Sequence, residues 1–224
     1  MAIFPSRDEP ARESLKRLSE GLLRSAGRTG VRGNVLEVHH PAAPLFDPVL
    51  LCAAAQPFSV SISLSQDGRS DAGPRVCCAS AQLPFQDGVF SMVVLHHVIG
   101  AGDEAELAEA VRVLSRSGVL IVLGLNRMGW RYRTQDNIRR LPGLAPLKVR
   151  TRLERLDMTM QGFAGAGLGG AQRPAFMNTG LLGLATPLAD LVLLQARHRD
   201  GPEVMPLRFS KPRSAVVQSA PMRG

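Results

Sequence analysis

The sequence predicts an α/β fold: a doubly wound, mostly parallel sheet with helices on both faces. Two apolar runs, 90–96 and 119–125, are long enough to be strands buried on both faces. Between them lies a stretch with helical spacing of apolar residues. A strand, a helix and a strand within about 35 residues form a βαβ unit, which requires parallel strands and a right-handed crossover.

Before this unit, the chain predicts one helix and three strands. The helix follows from leucines at helical spacing: Leu15, Leu18, Leu22 and Leu23. Strands are expected over 35–38, 58–64 and 76–79, the second because apolar residues alternate there with serines. Asp47 and Pro48 are spaced as the N-cap and first residue of a short helix.

The rest of the chain is assigned by the same rules. Asp103, with Glu106 three residues later, predicts a side-chain cap for the helix between the two apolar runs. Residues 126–150 are rich in arginine and are expected to be irregular. A further helix is predicted from the spacing of Leu153, Leu156, Met160 and Phe163. Residues 162–183 are rich in glycine and are expected to form a flexible loop near the site, and a strand is expected over 189–196.

Composition limits the class of protein. The chain has 224 residues, 45% hydrophobic and 21% charged, which excludes wholesale disorder. We expect an N-terminal helix over 1–30, an α/β domain over 31–199 and a basic, poorly ordered tail over 200–224. Cys52, Cys77 and Cys78 fit neither a zinc motif nor a disulfide scaffold, and are expected to be free thiols in the cytoplasm.

The net charge of +8 comes almost entirely from arginine, since only three of the 27 basic residues are lysine. This charge is typical of proteins with an anionic partner such as nucleic acid, a lipid headgroup or an acidic ligand, but a compositional bias towards Arg, Ala and Gly codons is the preferred interpretation. Aromatic residues make up only 4% of the chain, so nucleic-acid binding is not expected. No membrane span is expected either, because Pro187 and Asp190 interrupt the most apolar stretch, 181–196.

The segment 81–126 carries a recognisable pattern: a Leu-Pro-Phe turn, a strand ending in histidine, and a helix ending Arg-Val-Leu before a glycine. The matching residues are Leu83, Pro84, Phe85, Phe90, His97, Arg112, Val113, Leu114 and Gly118. This segment resembles the class I S-adenosylmethionine-dependent methyltransferases, specifically the small-molecule group called methyltransferase type 11. The resemblance implies a Rossmann-like fold, S-adenosylmethionine as cofactor and methyl transfer to a small-molecule acceptor that the sequence does not identify.

The resemblance also implies which residues form the cofactor site. They are Glu37, Val38, His39, Ser63, Ala79, Leu83, His96 and His97. Glu37 would lie near the methionine part of the cofactor, and Leu83 would flank the adenine. His96 or His97 would face the transferred methyl group or the acceptor. No catalytic residue and no metal follows from the resemblance.

The sequence departs from the family pattern at the cofactor loop. After Glu37-Val38 the family has a glycine-rich loop, whereas this chain has His-His-Pro-Ala-Ala-Pro over 39–44. Proline fixes φ and removes an N–H donor, so this loop cannot copy the family's close backbone approach. The family's acidic residues for ribose and adenine are replaced near Ser63 and at Ala79. A second hypothesis therefore stands beside the enzyme: a degenerate pseudo-methyltransferase that binds a partner or another ligand.

Three further patterns each have two interpretations. His39, His40, His96 and His97 would meet at the carboxyl ends of adjacent strands, where they could hold a metal or contact a ligand. Gly165, Gly167 and Gly170 match G-x-G-x-x-G, a dinucleotide motif only if it follows a strand and opens a helix. The arginines over 127–155 and 197–213 could bind phosphates, but a solvated surface is the simpler interpretation.

Overall fold

The computed structural model of the chain describes residues 9–26, 33–40, 59–63, 80–100, 103–136, 138–169 and 188–199. Within these residues seven strands form one sheet. The strands are β1 (Val35–His39), β2 (Ser59–Ser63), β3 (Phe90–His96), β4 (Leu114–Asn126), β5 (Gly143–Leu144), β6 (Met158–Leu168) and β7 (Ala189–His198). The helices are α1 (Glu9–Ala26), α2 (Glu104–Val113), α3 (Trp130–Thr134) and α4 (Pro146–Arg155), with a 3-10 turn at Ile138–Arg140.

The strand order is β2-β1-β3-β4-β7-β6, with β5 paired to the end of β4. β2, β1, β3 and β4 are parallel to their neighbours, whereas β7 runs antiparallel to both β4 and β6. The predicted doubly wound, mostly parallel sheet is therefore confirmed, and so is the pairing of β1 with β3. The short helix predicted at Asp47, the strand predicted over 76–79, the three cysteines and the tail over 200–224 lie outside the described residues.

The sheet has an apolar core on each face. On one face α2 and α4 pack through Leu107, Val149 and Leu153 against residues such as Val93 and Val122. On the other face α1 packs against the sheet through Leu15, Leu18, Leu22 and Leu23. The leucine spacing of the sequence thus predicts both α1 and the face that it buries.

The structure corrects three predictions in the second half of the chain. Residues 126–150 are not irregular, because they contain α3, the 3-10 turn, β5 and the first half of α4. Met160 and Phe163 lie on β6 and not on a helix, since α4 ends at Arg155 and Asp157 turns the backbone at a positive φ of 56°. Residues 162–168 are also strand, and so do not belong to a flexible loop.

The side-chain cap predicted for α2 is also wrong. Asp103 occupies the N-cap position, but its side chain makes no cap hydrogen bond to the helix. Its carboxylate instead accepts a hydrogen bond from the N–H of Gly100, three residues earlier. Asp103 therefore shapes the turn between β3 and α2 more than it stabilises the helix terminus.

A buried ion pair holds the turn after β4 against β7. The N–H of Arg131 donates to Oδ1 of Asp190 at 2.9 Å, and its Nε donates to Oδ2 at 3.2 Å. Nη2 of Arg131 reaches the hydroxyl of Ser14 on α1 at 2.9 Å. Gly129 permits this approach, because a Cβ there would lie only 2.8 Å from the Cα of Asp190. Arg131 is thus an exception to the solvated arginine surface that the sequence predicts.

Replacing Asp190 tests this ion pair. Asp190→Ala would leave the guanidinium of Arg131 buried without its partner, so we expect the free energy of unfolding to fall by about 3–5 kcal/mol. Urea denaturation measures the change. The matched control is Asp136→Ala, because Asp136 pairs with Arg139 on the surface and its side chain is 93% exposed; stability should then stay unchanged within error. Equal effects of the two substitutions would contradict the assignment.

Candidate functional site

The candidate site is the carboxyl edge of the two neighbouring strands β1 and β3. From β1 the chain continues to β2 on one side, and from β3 it continues to β4 on the other, so the strand order reverses at this point. The register pairs His39 with His96. Two backbone hydrogen bonds close the edge: His40 N–H donates to the carbonyl of His96 at 3.1 Å, and His97 N–H to that of Leu123 at 2.8 Å. Open parallel sheets bind ligands at such a switch point.

Strand alternation places Glu37, His39 and His96 on the same face of the sheet, the one that α1 covers. Val35 belongs to the α1 core, whereas Leu36 and Val38 belong to the opposite core. Residues two apart on a strand share a face, and so do partners in register. Glu37 is only 2% exposed. The backbone of β2 places Ser61 opposite Glu37 and Ser63 opposite His39.

Burial keeps the imidazoles at the end of β3 neutral. His96 and His97 are both buried, and His97 has a positive φ of 51° that turns the chain out of the strand. Desolvation lowers the pKa of His97 to about 3, with a smaller contribution from His40. Desolvation, together with the nearby His97 and His39, also holds the pKa of His96 well below its ordinary value. Neither side chain is positively charged near neutral pH.

The four histidines do not form the metal cluster that was one of the two hypotheses. His39 lies on the face covered by α1, whereas the next residue, His40, lies on the other face. Among the residues that the structure describes, no group of three or more His, Cys, Asp or Glu side chains is arranged to hold a metal ion. What the strands bring together is Glu37 with the His39–His96 pair, and this arrangement suits a ligand that combines polar and cationic groups.

The loop that precedes β3, Leu83–Gly88, lies along α2 and is held by two side chains of that helix. The guanidinium of Arg112 donates to the carbonyls of Leu83 and Phe85 at 3.1 and 2.9 Å, and also to the carboxylate of Asp87. Glu109 accepts the N–H of Leu83 at 2.7 Å and is itself bound by Arg112. The hydrogen bond from Arg112 lowers the pKa of Glu109. The loop is therefore positioned by charge-assisted hydrogen bonds.

The sequence indicates Arg112 only as part of the family pattern and does not single out Glu109 or Asp87. The spacing of Glu109 and Arg112, three residues apart on one helix, was the available signal. Phe85 completes the loop by packing edge-on against Phe90, with ring centroids 4.9 Å apart. Hydrogen bonds to loop carbonyls cannot be inferred from spacing alone, because the loop folds onto α2 from about 25 residues earlier in the chain.

The remaining predicted site residues have different positions. Val38 is fully buried in the core between the sheet and the helices α2 and α4. Leu83 is 5% exposed and packs into the same core from the loop that Arg112 holds. Ser63 ends β2 at the same edge as His39, and only its backbone is described. Ala79 lies outside the described residues.

The glycine motif does not form a dinucleotide site. Gly165 and Gly167 lie on β6, which pairs antiparallel with β7, and Gly170 lies outside the described residues. The first two glycines therefore lie within a strand, whereas those of a phosphate-binding turn follow one. Gly167 instead makes room for Asp190 and Leu18, because a Cβ at position 167 would lie 3.1 Å from a side-chain atom of each. The backbone of Gly167 also has a positive φ of 77°.

No family model matches the sequence, and no curated protein matches it. Solved structures do match the fold. A methyltransferase from Thermotoga maritima, described as S-adenosylmethionine-dependent, superposes with a TM-score of 0.60 at 14% identity, covering 84% of this chain and 94% of its own. Another with the same description, from Mesorhizobium loti, gives 0.53 at 10% identity, covering 80% and 98%.

A third similar structure is geranyl diphosphate C-methyltransferase from Streptomyces coelicolor A3(2), with a TM-score of 0.57 at 12% identity, covering 81% of this chain and 77% of its own. At such low identities the likeness shows the fold. No described helix is long and apolar enough to cross a membrane. The chain thus has the Rossmann-like fold of the class I methyltransferases, with its candidate site at the switch point of the sheet.

The buried imidazoles predict how stability depends on pH. The pKa of His97 is about 3 in the folded protein and about 6.5 in an unfolded chain, so between these values the unfolded state binds more protons. The free energy of unfolding should therefore fall as the pH drops below 6.5. Between pH 6 and 5, the free energy of unfolding should fall less steeply for His97→Asn than for the wild type. The difference between the two slopes should be about 1 kcal/mol per pH unit. Asparagine is chosen because it tolerates a positive φ.

Urea denaturation at several pH values measures these slopes, and Arg17→Gln, on the exposed surface of α1, serves as the control. Equal slopes for the wild type and His97→Asn would contradict a neutral buried His97. NMR titration of the imidazole protons gives a second readout on the wild type alone. A His97 resonance that titrates near pH 6.5 would contradict the assignment independently of how the variant folds.

Proposed function

We propose that this chain binds S-adenosylmethionine at the carboxyl edge of β1 and β3 and transfers its methyl group to a small molecule. The observation that carries the proposal is the buried acid Glu37 on β1, with His39 and His96 beyond it on the same face of the sheet. The class I fold supports this location for the cofactor. The family resemblance of residues 81–126 supports the same cofactor from the sequence.

The chemistry of these residues fits a cationic cofactor. Bound S-adenosylmethionine would supply a methyl group that its sulfonium already activates. Neutral His96 and His97 add no positive charge near that sulfonium, and the carboxyl group of Glu37 would face the ammonium of the methionine part. Leu83, held by Glu109 and Arg112, would offer an apolar contact to the adenine. We infer that these residues bind and orient the cofactor and exclude water from it.

The histidines are poor candidates for a general base. A base works best when its pKa lies near the operating pH, whereas the pKa of His97 is about 3. Removal of a proton by so weak a base would contribute little at neutral pH. The acceptor is therefore expected to react as a nucleophile that is already deprotonated or neutral, and the protein contributes mainly proximity and orientation.

A specific observation favours the second function, a non-catalytic binding domain. The sequence after β1 has Pro41 and Pro44 and no glycine over 39–44, and the acids that the family uses for ribose and adenine are absent near Ser63 and at Ala79. Each missing hydrogen bond weakens binding by about 1 kcal/mol, or more where a charge is involved. The two functions share the location of the site and differ in cofactor affinity and in turnover.

Isothermal titration calorimetry with S-adenosylmethionine and S-adenosylhomocysteine tests the proposal. We expect weak binding of both, with dissociation constants of roughly 10⁻⁴ M or higher, because about three hydrogen bonds are lost relative to the family pattern. Glu37→Gln should abolish the remaining heat, whereas the matched control Glu13→Gln, on the exposed surface of α1, should not change it.

Three outcomes are informative. A micromolar dissociation constant for the wild type would refute the degenerate site and favour an ordinary enzyme. Weak binding that Glu37→Gln leaves unchanged would remove Glu37 from the site. No heat with either compound at their highest soluble concentrations would contradict the proposed cofactor and leave the non-catalytic domain as the better account.

A further inference from the structure

Exposed apolar side chains gather at one end of the sheet. Six large hydrophobic residues are exposed among the described residues, and four of them lie where β4 ends: Met128, Trp130, Leu168 and Leu188, with exposed fractions of 62%, 59%, 39% and 58%. Gly129 brings Met128 and Trp130 close to Leu168 and Leu188. A Cβ on Gly129 would lie 3.0 Å from the carbonyl of Ala189, which follows Leu188 and pairs in register with Leu168.

Arginines border these side chains. Arg127, Arg133, Arg139 and Arg140 are all exposed. Nη2 of Arg139 donates to the carbonyl of Arg133 at 2.7 Å and its Nε to that of Tyr132 at 3.1 Å, so Arg139 lies at the end of α3. Asp136 is the sole acid in residues 127–140. We call the four apolar and four arginine side chains the apolar–arginine patch.

A buried ion pair holds the helix that carries Trp130 and Arg133 of the patch. Arg131 directly follows Trp130 in sequence, but its side chain is only 4% exposed, because it pairs with Asp190 inside the protein. Both its N–H and its guanidinium are bound there. This anchorage orients α3 so that Arg131 faces inward and Trp130 faces solvent. The exposure of Trp130 is thus imposed by buried contacts on the next residue.

We propose that the apolar–arginine patch docks this protein on the surface of an anionic lipid bilayer. Tryptophan and leucine side chains are stable at the boundary between headgroups and acyl chains, and arginine is attracted to anionic headgroups. Both components are present on one rigid surface. A nucleic acid would contact the arginines through its phosphates but would leave Met128, Leu168 and Leu188 exposed to water. Only one tryptophan, Trp130, is present for stacking on bases.

The single tryptophan makes a direct test possible, because Trp130 reports on its own environment in the full-length protein. We expect its fluorescence to shift to shorter wavelength with vesicles of equal parts phosphatidylcholine and phosphatidylglycerol. Vesicles of phosphatidylcholine alone should give a much smaller shift. Lipids with brominated acyl chains should quench the emission, because quenching requires contact between the ring and the acyl region.

Matched variants locate the binding surface. The double variant Arg133→Gln, Arg140→Gln should weaken vesicle binding at least about tenfold. Arg150→Gln with Arg155→Gln, two exposed arginines of α4, should leave it unchanged. Met128→Ser should weaken binding, whereas Leu147→Ser should not, although Leu147 is 72% exposed on α4. Circular dichroism checks that each variant is folded.

Other results would overturn the proposal. One is that the fluorescence of Trp130 does not shift with anionic vesicles, and another is that the patch variants and the α4 variants lose equal vesicle affinity. A third is vesicle binding without quenching of Trp130, which would assign the contact to another basic segment such as 200–224. A shift produced equally by RNA would favour a nucleic acid. A shift that depends on protein concentration without lipid would favour a second copy of the chain. None of these readouts depends on S-adenosylmethionine.

Discussion

The parallel pairing of β1 with β3 is the constraint on which the candidate site depends. Its register sets His39 beside His96, and strand alternation then places Glu37 on the same face. Two backbone hydrogen bonds at the carboxyl edge, from His40 to His96 and from His97 to Leu123, join β1 to β3 and β3 to β4. The chain passes to opposite sides after β1 and β3, and open parallel sheets bind ligands at such an edge, whereas the middle of each strand is covered by cores on both faces.

Desolvation determines the chemistry available at this edge. A histidine with a pKa of about 3 is a neutral polar group at physiological pH, and so it adds no charge beside a cation. The ionic groups Arg112, Glu109 and Asp87 hold the Leu83–Gly88 loop against α2, near the start of β3 and away from this edge. The edge thus combines neutral imidazoles with one buried acid, an arrangement better suited to binding and orientation than to proton transfer.

The extent to which the sequence predicts this structure differs between elements. Continuous apolar runs predict β3 and most of β4, and leucine spacing predicts α1, because burial imposes these patterns directly. Met160 and Phe163 continue the helical spacing across Asp157, whose positive φ ends the helical region, so periodicity conceals the change to β6. The histidine edge is predictable from sheet topology. The inward side chain of Arg131 is not, because its partner Asp190 lies 59 residues later.

The most direct test of the central claim is to map where a cofactor analogue binds, by two-dimensional NMR of the amide groups during titration with S-adenosylhomocysteine. If the carboxyl edge of β1 and β3 is the site, the largest shifts should occur at His39, His40, His96 and His97, with smaller ones in the loop around Leu83. The amides of α4, such as that of Arg150, should stay unchanged. Shifts confined to α4 or to the turn after β4, or none at the highest soluble concentration, would contradict the account.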